Sequence, residues 1–293
     1  MVEKVHSLNK KHRIAVSWAQ DINTISAIQK AVSYGFAEGI LIGNIAEIRN
    51  ICKKAGTDPD LFSLIRADDE IAASEEAVRL ANEGYADIAM KGLVGTDIFL
   101  RAVIDKKKGL MLPDTVLSYV CALEIPEYHK LLFITDPAVI PLPTLEQKVI
   151  MAEYAIEMAK RFGINKPRVA LISASEKPGK HFQSSADYEV MCRMARDGEI
   201  SECIMDGPLD IFLACNKESV EIKGIDTPVN GDADILLFPT LESSNPFYKG
   251  LMLFAHAELA GLIRGTGKPV IVMSRSESEK SKFYCIALAC LMA

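Results

Sequence analysis

Short apolar runs alternate with helix-patterned stretches almost from one end of the chain to the other. The runs Ile14–Trp18, Gly39–Ile42, Ile88–Lys91, Ser118–Leu123, Leu131–Thr135, Val169–Ser173, Ile235–Pro239, Gly261–Arg264 and Pro269–Ser274 read as strands. Between them, Thr24–Ser33, Ile45–Ala55, Ala72–Asn82, Gln147–Arg161 and Asp187–Arg196 carry the apolar spacing of helices. Apolar strands separated by helices predict an α/β fold: parallel-rich sheet with helices on both faces. An all-α or all-β fold is excluded by the same alternation. Three prolines within Asp136–Pro143 break regular structure and mark a boundary between two domains.

Polar groups concentrate just past predicted strand ends, where open α/β sheets bind their ligands. Ser274-Arg275 sets a hydroxyl and a guanidinium beyond the last strand, a pairing suited to holding phosphate bidentately. The plainer alternative is a strand-to-helix junction, with Ser276 or Ser278 capping the next helix and Glu277 and Glu279 in its first turn. Asn245 and Lys249 lie four apart, flanking Tyr248, at what reads as a helix start facing an anionic ligand. Ordinary capping and packing would produce the same pattern. Lys91-Gly92 closes a third strand, and a helix is expected from Thr96, with Arg101 a turn inside it. Three strand-end sites with cations and amides together point to a phosphate-handling cleft. The run Lys106-Lys107-Lys108 reads instead as a helix C-terminus, with cations set against the dipole.

Charge narrows the classes of partner. With 33 basic and 39 acidic residues the formal net charge is -6, which argues against a nucleic-acid binder. No apolar run has the length of a membrane span, about 18 residues, and Met1–Arg13 lacks the apolar core of a signal peptide. A cytoplasmic protein is therefore expected. The seven cysteines form no C-x-x-C pair, so reduced thiols are expected rather than disulfides or a zinc site. The five histidines show neither H-E-x-x-H nor H-x-x-E-H spacing, and no metal is expected. Gly261–Lys268 has the wrong spacing for a phosphate loop, with Pro269 after the lysine, and reads as a turn between strands. No G-x-G-x-x-G follows the first strand, so a dinucleotide site has no support. Trp18, the single tryptophan, is expected to pack.

Several short motifs, taken in order, resemble those of the phosphate acetyl/butyryl transferases. They are Ala89–Arg101, Gly207-Pro208-Leu209 (read as a turn), Lys223-Gly224-Ile225, Gly231-Asp232-Ala233-Asp234, Asn245 with Tyr248-Lys249, and Ser274-Arg275. Spacing and length are closer to the phosphate butyryltransferases. The resemblance implies a two-domain fold like that of the isocitrate and isopropylmalate dehydrogenases, divided as 1–137 plus 267–293 and 138–266, with the active site in the interdomain cleft. It implies the reversible reaction acyl-CoA + phosphate = acyl phosphate + CoA, on a butyryl or related short chain. Coenzyme A is then a substrate and no cofactor is tightly bound. The partners are acyl-CoA, phosphate and acyl phosphate, and the chain forms a homodimer or larger assembly. It assigns the phosphoryl group to Arg275, the CoA thiol or reacting carbonyl to Ser274, and a place near the acyl phosphate to Arg101. Lys91, Gly92, Thr96, Asn245, Tyr248 and Lys249 are the expected substrate-binding residues.

The chain departs from the family pattern at Ser281, where phosphate acetyltransferases carry an aspartate, and at Phe212-Leu213, where the butyryl enzymes carry Asp-Asn. Ser244 replaces a glycine, Pro246 follows Asn245, and Glu176–His181 matches the family's Asn-Pro-Lys loop only loosely. These changes imply shifted acyl specificity or reduced activity. The competing readings are a non-catalytic paralogue that binds acyl-CoA or acyl phosphate, and a decarboxylating dehydrogenase on the same architecture.

Overall fold

The computed structural model describes residues 1–177, 179, 184–274 and 277–293. The chain separates into two compact units, Met1–Thr115 with Ala260–Ala293, and Val116–Leu259. In chain order the first unit begins with α1 (Val2–Ser7), β1 (His12–Ser17), α2 (Ile22–Ser33), β2 (Ala37–Gly43), α3 (Ile45–Lys54), β3 (Ser63–Arg66), α4 (Glu70–Asn82), β4 (Ile88–Lys91) and α5 (Thr96–Val103). The second unit carries β5 (Ser118–Glu124), β6 (Leu132–Thr135), α6 (Leu145–Arg161), β7 (Arg168–Ile172), α7 (Ser184–Asp197), β8 (Ile204–Leu209), α8 (Ile211–Cys215), α9 (Lys217–Lys223), β9 (Ile235–Leu237) and α10 (Leu241–Phe254). The chain then returns through β10 (Glu258–Arg264), β11 (Val270–Ile271) and α11 (Glu279–Met292).

In the first unit the strand order is β3-β2-β1-β4-β11-β10. All neighbours are parallel except β10 and β11, which form an antiparallel hairpin with Ile263 opposite Val270. Gly265–Lys268 is the turn of that hairpin. Helices α2, α3 and α4 start where Asp21, Asn44 and Asp69 accept from the backbone N–H three residues on, at Thr24, Glu47 and Ala72. Helix α11 is buried over most of its length, from Cys285 to Met292, and packs on α2. Lys282, only 4% exposed, reaches from α11 to Asp21 Oδ1 at 2.9 Å and Thr24 Oγ1 at 3.0 Å.

In the second unit the order is β5-β6-β9-β7-β8. Only the β5–β6 pair is antiparallel. Thr144 and Thr240 open α6 and α10 with reciprocal capping boxes, to Gln147 and Ser243. At the opposite end of this sheet, Lys130 pairs with Asp232 and Asp234 at 3.1 and 2.8 Å and ties the start of β6 to the start of β9.

Two strands escape the apolar pattern. Strand β3 is an edge strand with Ser63 and Arg66 exposed, so it lacks the fully apolar signature. Strand β8 contains Asp206-Gly207-Pro208-Leu209, which reads as a turn but lies within the strand; its edge position tolerates a proline. Strand β11 is shorter than expected and ends at Ile271, not Ser274. Helix α5 ends at Val103, so Lys107 and Lys108 are not in a helix. They belong to a turn in which their N–H groups donate to Asp105 Oδ1, both at 2.8 Å. The proline-rich stretch Asp136–Pro143 follows β6 inside the second unit. The units divide earlier, after Thr115, because β5 and β6 pair with each other.

Candidate functional site

In the first unit the parallel strands β1, β2, β4 and β11 share one carboxyl edge. Strand β1 sits between β2, which follows it, and β4, which enters from the far side, so the strand order switches at β1–β4. There the turns Ser17-Trp18 and Lys91-Gly92 meet. Gly92 N donates to Ser17 O and Leu93 N to Trp18 O, each at 2.9 Å. A Cβ on Gly92 would lie 2.5 Å from Ser17 O, so only glycine fits. Trp18 holds φ at 50°, a left-handed conformation rare for a bulky residue. Its ring packs on the cluster of Ala15, Ile42, Ala67 and Ala73, as expected.

Lys91 is 4% exposed, and its ammonium donates to Gly92 O at 3.2 Å and Met273 O at 3.1 Å. Ser274 is exposed on the same carboxyl edge, three residues past β11. Arg275, with Ser276, lies outside the described residues. Ser278 caps α11, accepting from Ser281 N at 3.1 Å, and Ser281 is buried inside that cap. Thr96 is the exposed first residue of α5. The N-cap is Gly95, whose N–H donates to Glu70 Oε2 at 3.1 Å, so a protein carboxylate already stands at this helix start. Arg101 is exposed five residues beyond Thr96, about 140° around the helix at 100° per residue. It lines a groove of about 680 Å³ between α4 and α5, with Ile71, Arg79, Ile98 and Lys108. Thr96 and Arg101 therefore face different sides of α5.

In the second unit the centre is Asp136, the residue after β6 and 2% exposed. Its carboxylate accepts from Ser118 Oγ (3.0 Å) and from the amides of Tyr119 (3.1 Å), Ala138 (2.8 Å), Val139 (2.9 Å) and Ile140 (3.3 Å). Burial pushes this carboxyl up, and the N–H donors and the hydroxyl only partly offset it. The loop so pinned holds α10. Asp136 O accepts from Ser244 Oγ at 2.6 Å, Pro137 O from Asn245 Nδ2 at 2.7 Å, and Pro141 O from Leu241 N at 3.0 Å. Asn245 is thus not at a helix start. The helix begins at Thr240-Leu241, and the Asn245 amide N–H is bound to protein. Tyr248 is half-buried, and Lys249 is exposed two turns into the helix.

A pocket of about 670 Å³ opens at the carboxyl ends of β7 and β9, against the first turns of α6, α7 and α10. Leu142, Ile172 and Phe238 give it apolar walls, and Thr144, Ser173 and Thr240 give hydroxyls. Lys148, 4% exposed, pairs in its lining with Asp187 Oδ2 at 2.6 Å. Sequence reasoning missed Lys148 and Asp136. A lysine one turn after a capping threonine, against the helix dipole, was the available signal for the first. An aspartate between an apolar strand and a proline was the signal for the second.

The departure at Phe212-Leu213 also has a structure. Asp210 caps α8, accepting from Leu213 N at 2.8 Å, and pairs with Lys223 at 2.6 Å. Burial alone would raise its carboxyl; the Lys223 ammonium and the Leu213 N–H outweigh that and hold it below the usual range. Phe212 is 68% exposed and Leu213 is buried. Among the described residues no three metal-ligating side chains come together.

Open parallel sheets with hydroxyls, cations and a pocket at their carboxyl edges define an α/β protein built to bind small anionic or amphiphilic ligands. The chain belongs to the phosphate acetyl/butaryl transferase family, whose pattern it matches over residues 69–290. It is 38% identical over 281 residues to a phosphate butyryltransferase of Clostridium beijerinckii, covering 96% of this chain and 93% of that one. It is 36% identical over 293 residues to the phosphate butyryltransferase of Clostridium acetobutylicum, covering 100% and 97%. In structure it resembles a branched-chain phosphotransacylase from Enterococcus faecalis V583, with a TM-score of 0.83 at 30% identity over 96% of this chain and 98% of the other.

Proposed function

We propose that this protein is an acyltransferase that moves a short acyl group, butyryl or a near relative, reversibly between coenzyme A and phosphate. The observation that carries the reading is similarity to phosphate butyryltransferases along essentially the whole length of both chains. In the direction of thioester synthesis the CoA thiol loses its proton and the thiolate attacks the acyl carbonyl. The carbon–oxygen bond to phosphate breaks, and phosphate leaves with the electron pair and takes up the proton the thiol gave up. The chemistry needs donors at the carbonyl oxygen and cations at the leaving phosphate. Ser274, a hydroxyl exposed at the carboxyl edge of the first unit, fits the first need. Arg275, by the family resemblance, meets the second. The unit 2 pocket, part apolar and part hydroxyl-lined, suits the amphiphilic body of an acyl-CoA.

A cytosolic setting accords with seven free cysteines, five of them buried. Self-association, in the simplest case a homodimer, accords with Phe212, Ile222, Leu253 and Phe254 of the second unit, which are 68–81% exposed. The test is release of CoA from butyryl-CoA by phosphate, followed with a thiol reagent. Arg275→Ala should lower kcat/KM on the order of 100-fold, as loss of a charge-assisted contact does. A binding-only paralogue, favoured by the burial of Ser281 in a helix cap, would bind CoA in a calorimeter and release none.

A further inference from the structure

Lys91 stands at the exit of β4 with its cation turned inward. The β4–β11 ladder pairs Ala89 with Val270 and Met90 with Ile271, and there the regular pairing stops. Past that point β4 leads into the Gly92 turn and β11 towards Ser274. The Lys91 ammonium bridges the two segments, donating to Gly92 O and to Met273 O. On its other side the Lys91–Gly92 turn is locked to β1, by the Ser17↔Lys91 register and by the Gly92 N and Leu93 N bonds to Ser17 O and Trp18 O. The ammonium is therefore fixed by rigid sheet, not by a mobile loop.

A buried ammonium is stable only where strong acceptors replace its water, and main-chain carbonyls do so here. The consequence falls on Ser274. The Met273 carbonyl and the Ser274 N–H belong to one planar peptide unit and point in opposite directions. Holding the carbonyl against Lys91 fixes the plane of that peptide and with it the direction of the Ser274 N–H. The regular β4–β11 register covers Val270 and Ile271, two residues before Met273.

We propose that Lys91 is a positioning residue rather than a substrate ligand: it fixes the Met273–Ser274 peptide against the Gly92 turn and acts on acyl transfer through Ser274. This rests on the acyltransferase reading for its effect on rate, and on the structure alone for its effect on the segment. A displacement of Ser274 by about 1 Å is enough to cost on the order of 100-fold in rate.

The experiment compares the full-length protein with Lys91→Met, Lys91→Arg and Lys91→Ala, using butyryl phosphate and CoA. Rates are normalised to folded protein by circular dichroism and size exclusion. Lys91→Met is expected to lower kcat by at least about 30-fold with KM for both substrates within about threefold. Lys91→Arg is expected to recover part of that loss. Ethylammonium, which can enter the space left in Lys91→Ala, is expected to restore rate, whereas tetramethylammonium at equal ionic strength is not. Hydrogen exchange of the peptide spanning 270–274 is expected to be faster in Lys91→Met than in the parent. An unchanged kcat would overturn the proposal in favour of a purely structural lysine. A KM raised tenfold or more at constant kcat would overturn it in favour of a direct substrate ligand. If the parent enzyme itself transfers no acyl group, the functional reading fails on its own; unchanged exchange over 270–274 would then separately sink the positioning role.

Discussion

The Asn245 side-chain amide donates to the Pro137 carbonyl at 2.7 Å, so the helix that carries Tyr248 and Lys249 hangs on the loop after β6. That loop is shaped in turn by one carboxylate, Asp136, with five donors around it. A residue outside the sequence-derived site thus fixes where the site's helix lies.

Asp136→Ala should leave Ser118 and four backbone amides without their acceptor. Each unsatisfied buried donor costs about 1–3 kcal/mol, and relaxation will recover part of it. We expect a net loss of about 3 kcal/mol or more in urea unfolding, and a smaller loss for Asp136→Asn, which keeps an acceptor oxygen. An Asp136→Ala protein as stable as the parent would remove the loop from this account.

Gly92→Ala places a methyl group 2.5 Å from Ser17 O and 2.7 Å from Trp18 O, both main-chain atoms that cannot swing away. The strand ends must part, at a cost of about 1–3 kcal/mol. Because the same turn lies beside Lys91 and Ser274, acyl transfer should fall more steeply than stability. Parallel melting curves and kcat measurements check this.

The pair Lys148–Asp187 should respond asymmetrically. Asp187 is 28% exposed at its side chain and can be rehydrated, whereas Lys148 is 5% exposed and cannot. Removing the carboxylate strands a buried ammonium, so Asp187→Ala should cost about 3 kcal/mol and Lys148→Met about 1 kcal/mol. Equal losses in chemical denaturation would mean that the pair is hydrated in solution.

Much of this was legible in the amino-acid pattern, and the exceptions are physical. Strands such as Ile88–Lys91 match residue for residue because they are buried on both faces and read as unbroken apolar runs. Strands β3 and β8 were hidden because edge strands need no such run and tolerate Arg66 or Pro208. Lys91 and Gly92 stand at a strand end that the pattern locates, and Ser274 lies three residues past β11. The direction of the Lys91 ammonium was not legible, since chain periodicity does not say whether an ammonium turns outward to solvent or inward to a carbonyl. Asn245 was misplaced by one helical turn because Thr240, the true cap, follows Pro239 in a stretch read as strand end. Asp136 left only its place between an apolar strand and a proline as a signal, because its partners, Ser118 and the amides of 119 and 138–140, are main-chain or distant in sequence.

Stability should fall in acid through identifiable carboxylates. Asp21 is partly buried beside Lys282: burial alone would raise its carboxyl, but the Lys282 ammonium and the Thr24 hydroxyl and amide outweigh it and hold it below the usual range. For Asp87, burial also raises, and the Arg13 side-chain and backbone donors again win. A carboxyl depressed in the folded state contributes stability above its unfolded value, about 3.9, and loses it as pH falls through the folded value. Unfolding free energy attributable to these groups should therefore be level above about pH 5 and drop below about pH 4. Asp21→Asn should flatten that drop; an identical acid profile in the variant would show that Asp21 does not contribute to it.

The central claim is acyl transfer between coenzyme A and phosphate, and one measurement addresses it most directly. The purified protein is given phosphate with acetyl-, propionyl-, butyryl-, isobutyryl- and succinyl-CoA in turn, and CoA release is followed together with acyl phosphate formation. The account predicts phosphate-dependent turnover, with kcat/KM highest for butyryl-CoA or a near short-chain relative and acyl phosphate formed in equal amount to CoA. CoA binding with no phosphate-dependent release across the whole series would contradict it.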